Sequence, residues 1–309
     1  MPARRNDYDI TNRIQTTDPL AVEAEISRLF RVNYPSVECA AMTRAFKDAA
    51  ALYVGDYPGY RACDTTYHNL QHVMDVTLAM ARLMDGYERT KAQPPPLGEK
   101  LFQFGIVVAL FHDMGYLRKD DDDVAPNGAF YTRNHVSRGA FFLRSYLAEI
   151  GLPELSEAGA ELIHFTGYEK RVADILIEDP LLRLLGSLLG SADIIAQMAD
   201  RCYLEKCRDR LYPEFVVGGI AEEKDPSGKT RVIYSSGDDL VMKTPTFFKT
   251  AVDRLEADLG GSYRYAASHF GGFNLYIHAA TKNVNFAKCL YAHPLNSLRR
   301  ALPPPASTN

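Results

Sequence analysis

Apolar side chains recur at three- and four-residue intervals along most of this chain, the period of a helix that buries one face. The spacing predicts helices over Ala21–Arg31, Cys39–Val54, Leu70–Tyr87, Gly98–His112, Arg138–Ile150, Pro153–His164 and Leu181–Arg210, with another over Thr246–Leu259. Strand-like alternation is scarce. Turn-forming residues punctuate the helices at Gln93-Pro94-Pro95-Pro96, at the acidic run Asp120 to Asp123 followed by Pro126-Asn127-Gly128, and at Gly151-Leu152-Pro153. Phe215-Val216-Val217 and Arg231-Val232-Ile233-Tyr234 flank a polar stretch with Asp225-Pro226-Ser227-Gly228, which predicts a small β-hairpin insertion near 214–236. The expected fold class is all-α. A flexible segment is expected over 1–20, one helical domain over 21–300, and a flexible tail with Pro303-Pro304-Pro305 over 301–309.

Composition refines this picture in two ways. An apolar share of 46% against 24% charged residues lets most of the chain bury a core instead of remaining disordered. A net charge of −4 gives no long-range attraction to nucleic acid or to an anionic membrane, so an anionic substrate has to be held by local groups. No nucleic-acid surface and no membrane association is expected: the polar start through Arg4, Arg5, Asp7 and Asp9 lacks the apolar run of a signal peptide, and the apolar stretch Gly105 to Phe111 is far below the ~20 residues that span a bilayer. Five cysteines, Cys39, Cys63, Cys202, Cys207 and Cys289, are odd in number and widely spaced, which suits reduced thiols in a cytoplasmic protein.

The chemistry concentrates between Tyr67 and Asp193. In Tyr67-His68-Asn69-Leu70-Gln71-His72-Val73-Met74-Asp75-Val76, His68 and His72 stand four apart, which on a helix stacks both imidazoles on one face. There they share a metal or divide the roles of ligand and proton donor. Further on, His112-Asp113 ends the apolar run Val107 to Phe111, where a carboxylate is costly unless paired or metal-bound. His135 opens a helix whose Gly139-Ala140 pair permits close packing, His164 closes another, and Asp193 sits in the otherwise apolar Leu188 to Ile195, where a buried acid wants a cation.

Taken in order, His72, His112-Asp113, His135, His164 and Asp193 resemble the ligand set of the HD-domain superfamily, over roughly Tyr67 to Asp200. The resemblance implies an HD-domain-like helical bundle with its metal-binding core over 67–200, a C-terminal extension over 201–300, and two divalent transition metal ions. By the same carry-over Asp113 bridges the two metals, His72, His112 and Asp193 hold one, and His135 and His164 hold the other. Mixed His and carboxylate ligands suit Fe, Mn, Co, Ni or Zn alike. The phrase Tyr67-His68-Asn69-x-x-His72-x-x-Asp75-Val76 is also similar to the first metal-binding signature of class I cyclic nucleotide phosphodiesterases, which implies that His68 protonates the leaving oxygen. Those enzymes carry another His three residues after their His-Asp pair, where this chain has Tyr116.

The expected function is thus metal-dependent phosphoester hydrolysis of a nucleotide or related small phosphoester. A paired metal site polarises phosphoryl oxygens and brings the pKa of water towards neutrality, while His68 supplies a proton and Asp75 orients it. The bland alternative makes His68 a capping or core residue; Tyr67 and Asn69 are expected to pack and cap. Gln197 shares the helix face of Asp193 and is a candidate substrate contact, as are the basic residues Arg133 and Lys170, with Arg118, Lys119 and Arg171 also near ligand segments. The same ligand set occurs in HD-type mixed-valent di-iron oxygenases, the alternative class.

Overall fold

The computed structural model describes residues 4–90, 95–225, 228–290, 298 and 302–306. Gln93-Pro94, Pro226-Ser227 and Ser307 of the turn and tail motifs lie outside the described residues. In chain order the helices are α1 (Pro19–Asn33), α2 (Ala40–Val54), α3 (Leu70–Arg89), α4 (Gly98–Leu110), α5 (His135–Glu149), α6 (Ser156–Leu162), α7 (Pro180–Ala199), α8 (Tyr203–Lys206), α9 (Tyr212–Val217), α10 (Gly237–Ala257), α11 (Tyr265–His269) and α12 (Leu275–Leu290). Strands β1 (Glu222–Lys224) and β2 (Thr230–Val232) form one antiparallel pair, with Glu223 opposite Arg231.

The bundle is organised on α3 and α7. Helix α3 is buried on almost every side, packed by α1, α4, α7 and α11. It starts where Asn69 turns its side chain back to accept from the His72 amide at 3.1 Å, a capping bond that replaces a partner the helix cannot supply. Helix α7 is long and apolar enough, by length and composition, to cross a bilayer, yet here it is a core helix that buries Leu185, Leu188, Leu189 and Ile195 between α3 and α12. Each such side chain contributes about 1.5–3 kcal/mol when fully buried. Close approaches fix the remaining helices: a Cβ on Gly86 of α3 would fall 1.9 Å from the Tyr265 carbonyl oxygen of α11.

Several expected boundaries shift for identifiable reasons. The helix expected over Leu181–Arg210 breaks at Asp200, whose ψ of 138° is extended and whose carboxylate accepts from the Cys202 amide at 2.6 Å. Phe215-Val216-Val217 is not the first strand of the hairpin but the end of α9, so the hairpin shrinks to three residues a side. The helix expected from Thr246 starts at Gly237, capped by Ser236, and runs through Pro245. Pro153–His164 is a shorter α-helix between two 3-10 turns. Helices α11 and α12 carry no sequence expectation, because short segments and mixed polarity hide the period.

From Arg4 onwards the segment over 1–20 packs against the helices. Asp9, 4% exposed, accepts from the Arg13 and Ile14 amides and pairs with Arg82 of α3, 2% exposed, which also donates to the Tyr276 hydroxyl of α12 at 2.9 Å. Residues of the tail also pack: the Leu302 and Pro304 carbonyls accept from Asn6 and Arg210. Asp9→Ala strands the Arg82 charge in the core and should cost about 3–5 kcal/mol in urea unfolding, the scale for breaking a buried ion pair. Burial pushes the Asp9 carboxyl up, but Arg82 and the turn amides hold it below its ordinary value. This contribution is therefore present above pH ~4 and lost as pH falls further. A loss under ~1 kcal/mol would show that the segment is only an appendage.

Candidate functional site

Asp113 is the hub of the site. It follows directly on His112 where α4 gives way to a 3-10 turn over Met114–Tyr116, and its carboxylate is 5% exposed. One oxygen, Oδ2, lies 3.1 Å from His72 Nε2 and 3.3 Å from His112 Nε2; the other, Oδ1, lies 3.7 Å from His135 Nε2. Asp193 Oδ1 also approaches this atom of His72, 3.5 Å from the same Nε2. Ligand atoms of His72, His112 and Asp113 all fall within 4.8 Å of one another, a buried trio that can hold a metal ion.

The donor set fits a cation. His112 Nε2 and Asp113 Oδ2 are buried and, though 3.3 Å apart, are not aligned as a hydrogen bond, an arrangement that a cation relieves. The outer nitrogens are already tied down: His112 Nδ1 sits 2.8 Å from the Ala109 carbonyl and His135 Nδ1 2.8 Å from the Thr132 carbonyl. Donation to those carbonyls leaves each Nε2 lone pair facing the centre. Burial, opposed by Asp113, holds His135 below its ordinary value, so it is a neutral imidazole as ligation demands. Without a metal, His112 and Asp113 instead behave as an ion pair. Burial disfavours both charges, yet each stabilises the other, with His112 raised to about 9 and Asp113 held well below the usual carboxylate range.

His164 is the expected ligand that the geometry ties in least. It is buried in the 3-10 turn after α6, with Nδ1 unpartnered and its pKa lowered first by burial and then by Lys170. Among the described residues no ion pair or ring contact joins it to the other five.

His135 owes its place to two local features. Glu169 accepts from the Val136 and Ser137 amides at 2.8 and 3.1 Å, satisfying the first turn of α5. Gly115 provides the close approach, since a Cβ there would fall 1.7 Å from the His135 carbonyl oxygen. The Gly139-Ala140 pair plays the lesser part, as Gly139 has 3.2 Å to the nearest side-chain carbon, Ile163 Cδ1.

His68 lies beside the trio, but not on the helix that carries His72, because α3 begins only at Leu70. Its imidazole meets that of His72 edge-on, centroids 5.7 Å apart. Asp75 does not orient it. That residue has no hydrogen bond or ion pair to His68 and lines a small polar cavity with His72, Asp200 and Lys206, where burial pushes its carboxyl up to about 7. The orienting group is Glu214 of α9, whose Oε2 is 2.5 Å from His68 Nδ1 while Oε1 accepts from the Tyr67 amide at 2.5 Å. Burial lowers the His68 pKa, and the charge and hydrogen bond of Glu214 more than restore it, so the ring lies above its ordinary value.

A π-helical turn over Cys207–Leu211 precedes α9 and aims Glu214 at this ring. Pro213 follows; it has no N–H to return to the Asp209 carbonyl, a position where regular α-helix cannot be maintained. Glu214 escaped the sequence reading. The available signal was an acid flanked by Pro213 and Phe215-Val216-Val217, the same buried-acid argument that singled out Asp193.

The expected substrate contacts are mostly engaged elsewhere. Gln197 accepts from the Tyr67 hydroxyl at 3.1 Å and donates to Asp193 Oδ1 at 3.3 Å, which makes it a support for that carboxylate. Lys170 pairs with Glu161 at 2.9 Å and Arg133 donates to the Gly219 carbonyl. Arg118 pairs with Asp64, and Arg171 with Asp174. Tyr67 packs, as expected, and Asn69 caps.

The helical architecture and the buried His-His-Asp trio are compatible with an HD-type fold. Comparison with family models, with curated proteins and with solved structures finds no match in any of the three.

Proposed function

We propose that this protein is an HD-type metal-dependent phosphohydrolase, acting as a phosphodiesterase on a nucleotide or related small phosphoester. The observation that carries the reading is the His68–Glu214 pair set against the trio of His72, His112 and Asp113: a proton donor with its own carboxylate, one ring away from a cation site. Hydrolysis of a phosphodiester with a poor leaving group draws on both parts.

His72, His112 and Asp193 would hold one metal, His135 and His164 the other, and Asp113 both. When bound, divalent cations supply Lewis acidity for the phosphoryl oxygens and lower the pKa of water. The chain's own work is positional and protonic. His112 and His135 are presented with their outer nitrogens already bonded, so little reorganisation is required of them. Glu214 fixes His68 Nδ1 and favours the protonated ring, leaving Nε2 as the atom that delivers a proton to the departing oxygen. Because Arg133 and Lys170 are already paired, recognition of the ester is left chiefly to the metal site and its immediate walls.

The test is a panel of alkyl and nitrophenyl phosphodiesters and monoesters offered to protein loaded anaerobically with Mn, Co, Ni, Fe or Zn. Metal-dependent cleavage of a diester that proceeds without O₂ is the expected result. Turnover that requires both iron and O₂ would instead make the site that of a di-iron oxygenase.

A further inference from the structure

Tyr116 occupies the position at which the phosphodiesterase-like motif departs from its pattern. Its ring, 2% exposed, lies 4.1 Å from that of His68 at an interplanar angle of 12°, and 4.4 Å from that of His135 at 24°. The two imidazole centroids are 6.4 Å apart. One aromatic ring is therefore shared between the candidate proton donor and a candidate ligand.

Each imidazole has one fixed point in its own plane, His68 at Glu214 and His135 at the Thr132 carbonyl. A ring tethered by a single hydrogen bond still rocks about that bond. A parallel aromatic surface removes that freedom, and an electron-rich tyrosine face also favours a cationic imidazolium. Gly115 brings the ring this close, since its missing side chain is what lets the 3-10 turn press against the start of α5. We propose that Tyr116 is a positioning residue that holds His68 in its donor pose and His135 in its ligand pose. The role in turnover rests on the phosphohydrolase reading; the role in holding the two rings does not.

Three variants test it: Tyr116→Phe, which keeps the aromatic face, and Tyr116→Leu and Tyr116→Met, which remove it while filling the space, Met serving if Leu fails to fold. At saturating Mn, the aliphatic variant should lose about 30-fold in kcat on an alkyl phosphodiester but only a few-fold on a nitrophenyl diester, with KM little changed, and Tyr116→Phe should restore both. The weaker of the two Mn sites should lose about tenfold in affinity by calorimetry. In histidine-labelled protein, with His68 assigned from His68→Gln, its imidazole signals should lose their ring-current shift and broaden. Equal losses on both substrates, or losses that Phe does not restore, would overturn the proposal. Should wild-type protein cleave no phosphoester at all, the hydrolase reading fails while the other two measurements decide this one: Mn affinity and His68 signals unchanged in the aliphatic variant would refute the positioning role, and changes in both would support it.

Discussion

Asp113→Ala should strip both metal ions from the protein, whereas His135→Ala should chiefly weaken one. The asymmetry follows from where the two carboxylate oxygens point. Oδ2 faces His72 and His112 at 3.1 and 3.3 Å, and Oδ1 faces His135 at 3.7 Å, so one side chain serves two groups of ligands. His135 lies against Oδ1 alone. Removal of a ligand shared by two ions should reduce both occupancies by at least about tenfold, the scale on which even outer-shell supports act. A second cost falls on the metal-free chain: without Asp113 the buried His112 loses the main partner that raises its pKa to about 9 against burial. Asp113→Asn retains the shape and isolates the charge. Metal content by mass spectrometry in all three variants, alongside circular dichroism to confirm folding, is the check. Metal content untouched in Asp113→Ala would remove Asp113 from the site altogether.

The second large effect is expected at His68. His68→Ala should retain near-normal metal content and lose about 10² to 10⁴ in turnover on an alkyl phosphodiester, the span of general acid catalysis. An alkoxide needs a proton as its bond breaks. A nitrophenolate is already stable as an anion, so the loss on that substrate should be far smaller. Glu214→Gln should follow the same leaving-group pattern at lower amplitude, because it keeps the side-chain shape while removing the charge that raises His68. His72→Ala, in contrast, should damage both substrates alike, since a lost ligand harms every step that depends on the cation. Parallel losses on both substrates in His68→Ala, accompanied by lost metal, would instead make His68 a ligand or a structural residue.

The parts of this site that the sequence disclosed are those written in local pattern. Asp193 announced itself as an acid in an apolar helix, and His112-Asp113 as a polar pair closing one; the structure places both against His72. What stayed hidden depends on contacts across the chain. Glu214 reaches His68 over 146 positions, through a π-helical turn that no periodicity reveals. The four-residue spacing of His68 and His72 suggested a shared helix face, but Asn69 caps α3 between them, and the rings meet by a turn in the chain instead. Likewise Asp9 looked like part of a loose polar start because its partner Arg82 lies mid-helix, where a cation ordinarily faces solvent. The β-branched pair Val216-Val217 argued for a strand and lost to the helix leading out of Pro213, a case of tertiary context overriding local preference.

The central claim is a two-metal phosphodiesterase organised on Asp113, and one measurement meets it most directly: anaerobic metal quantification of the reconstituted protein with turnover of an alkyl phosphodiester followed in the same samples. The account predicts that activity rises with occupancy as the second ion binds, reaches its maximum near two metals per chain, and needs no O₂. Full metal loading without cleavage of any phosphodiester, or product formation only when O₂ is admitted, would contradict it.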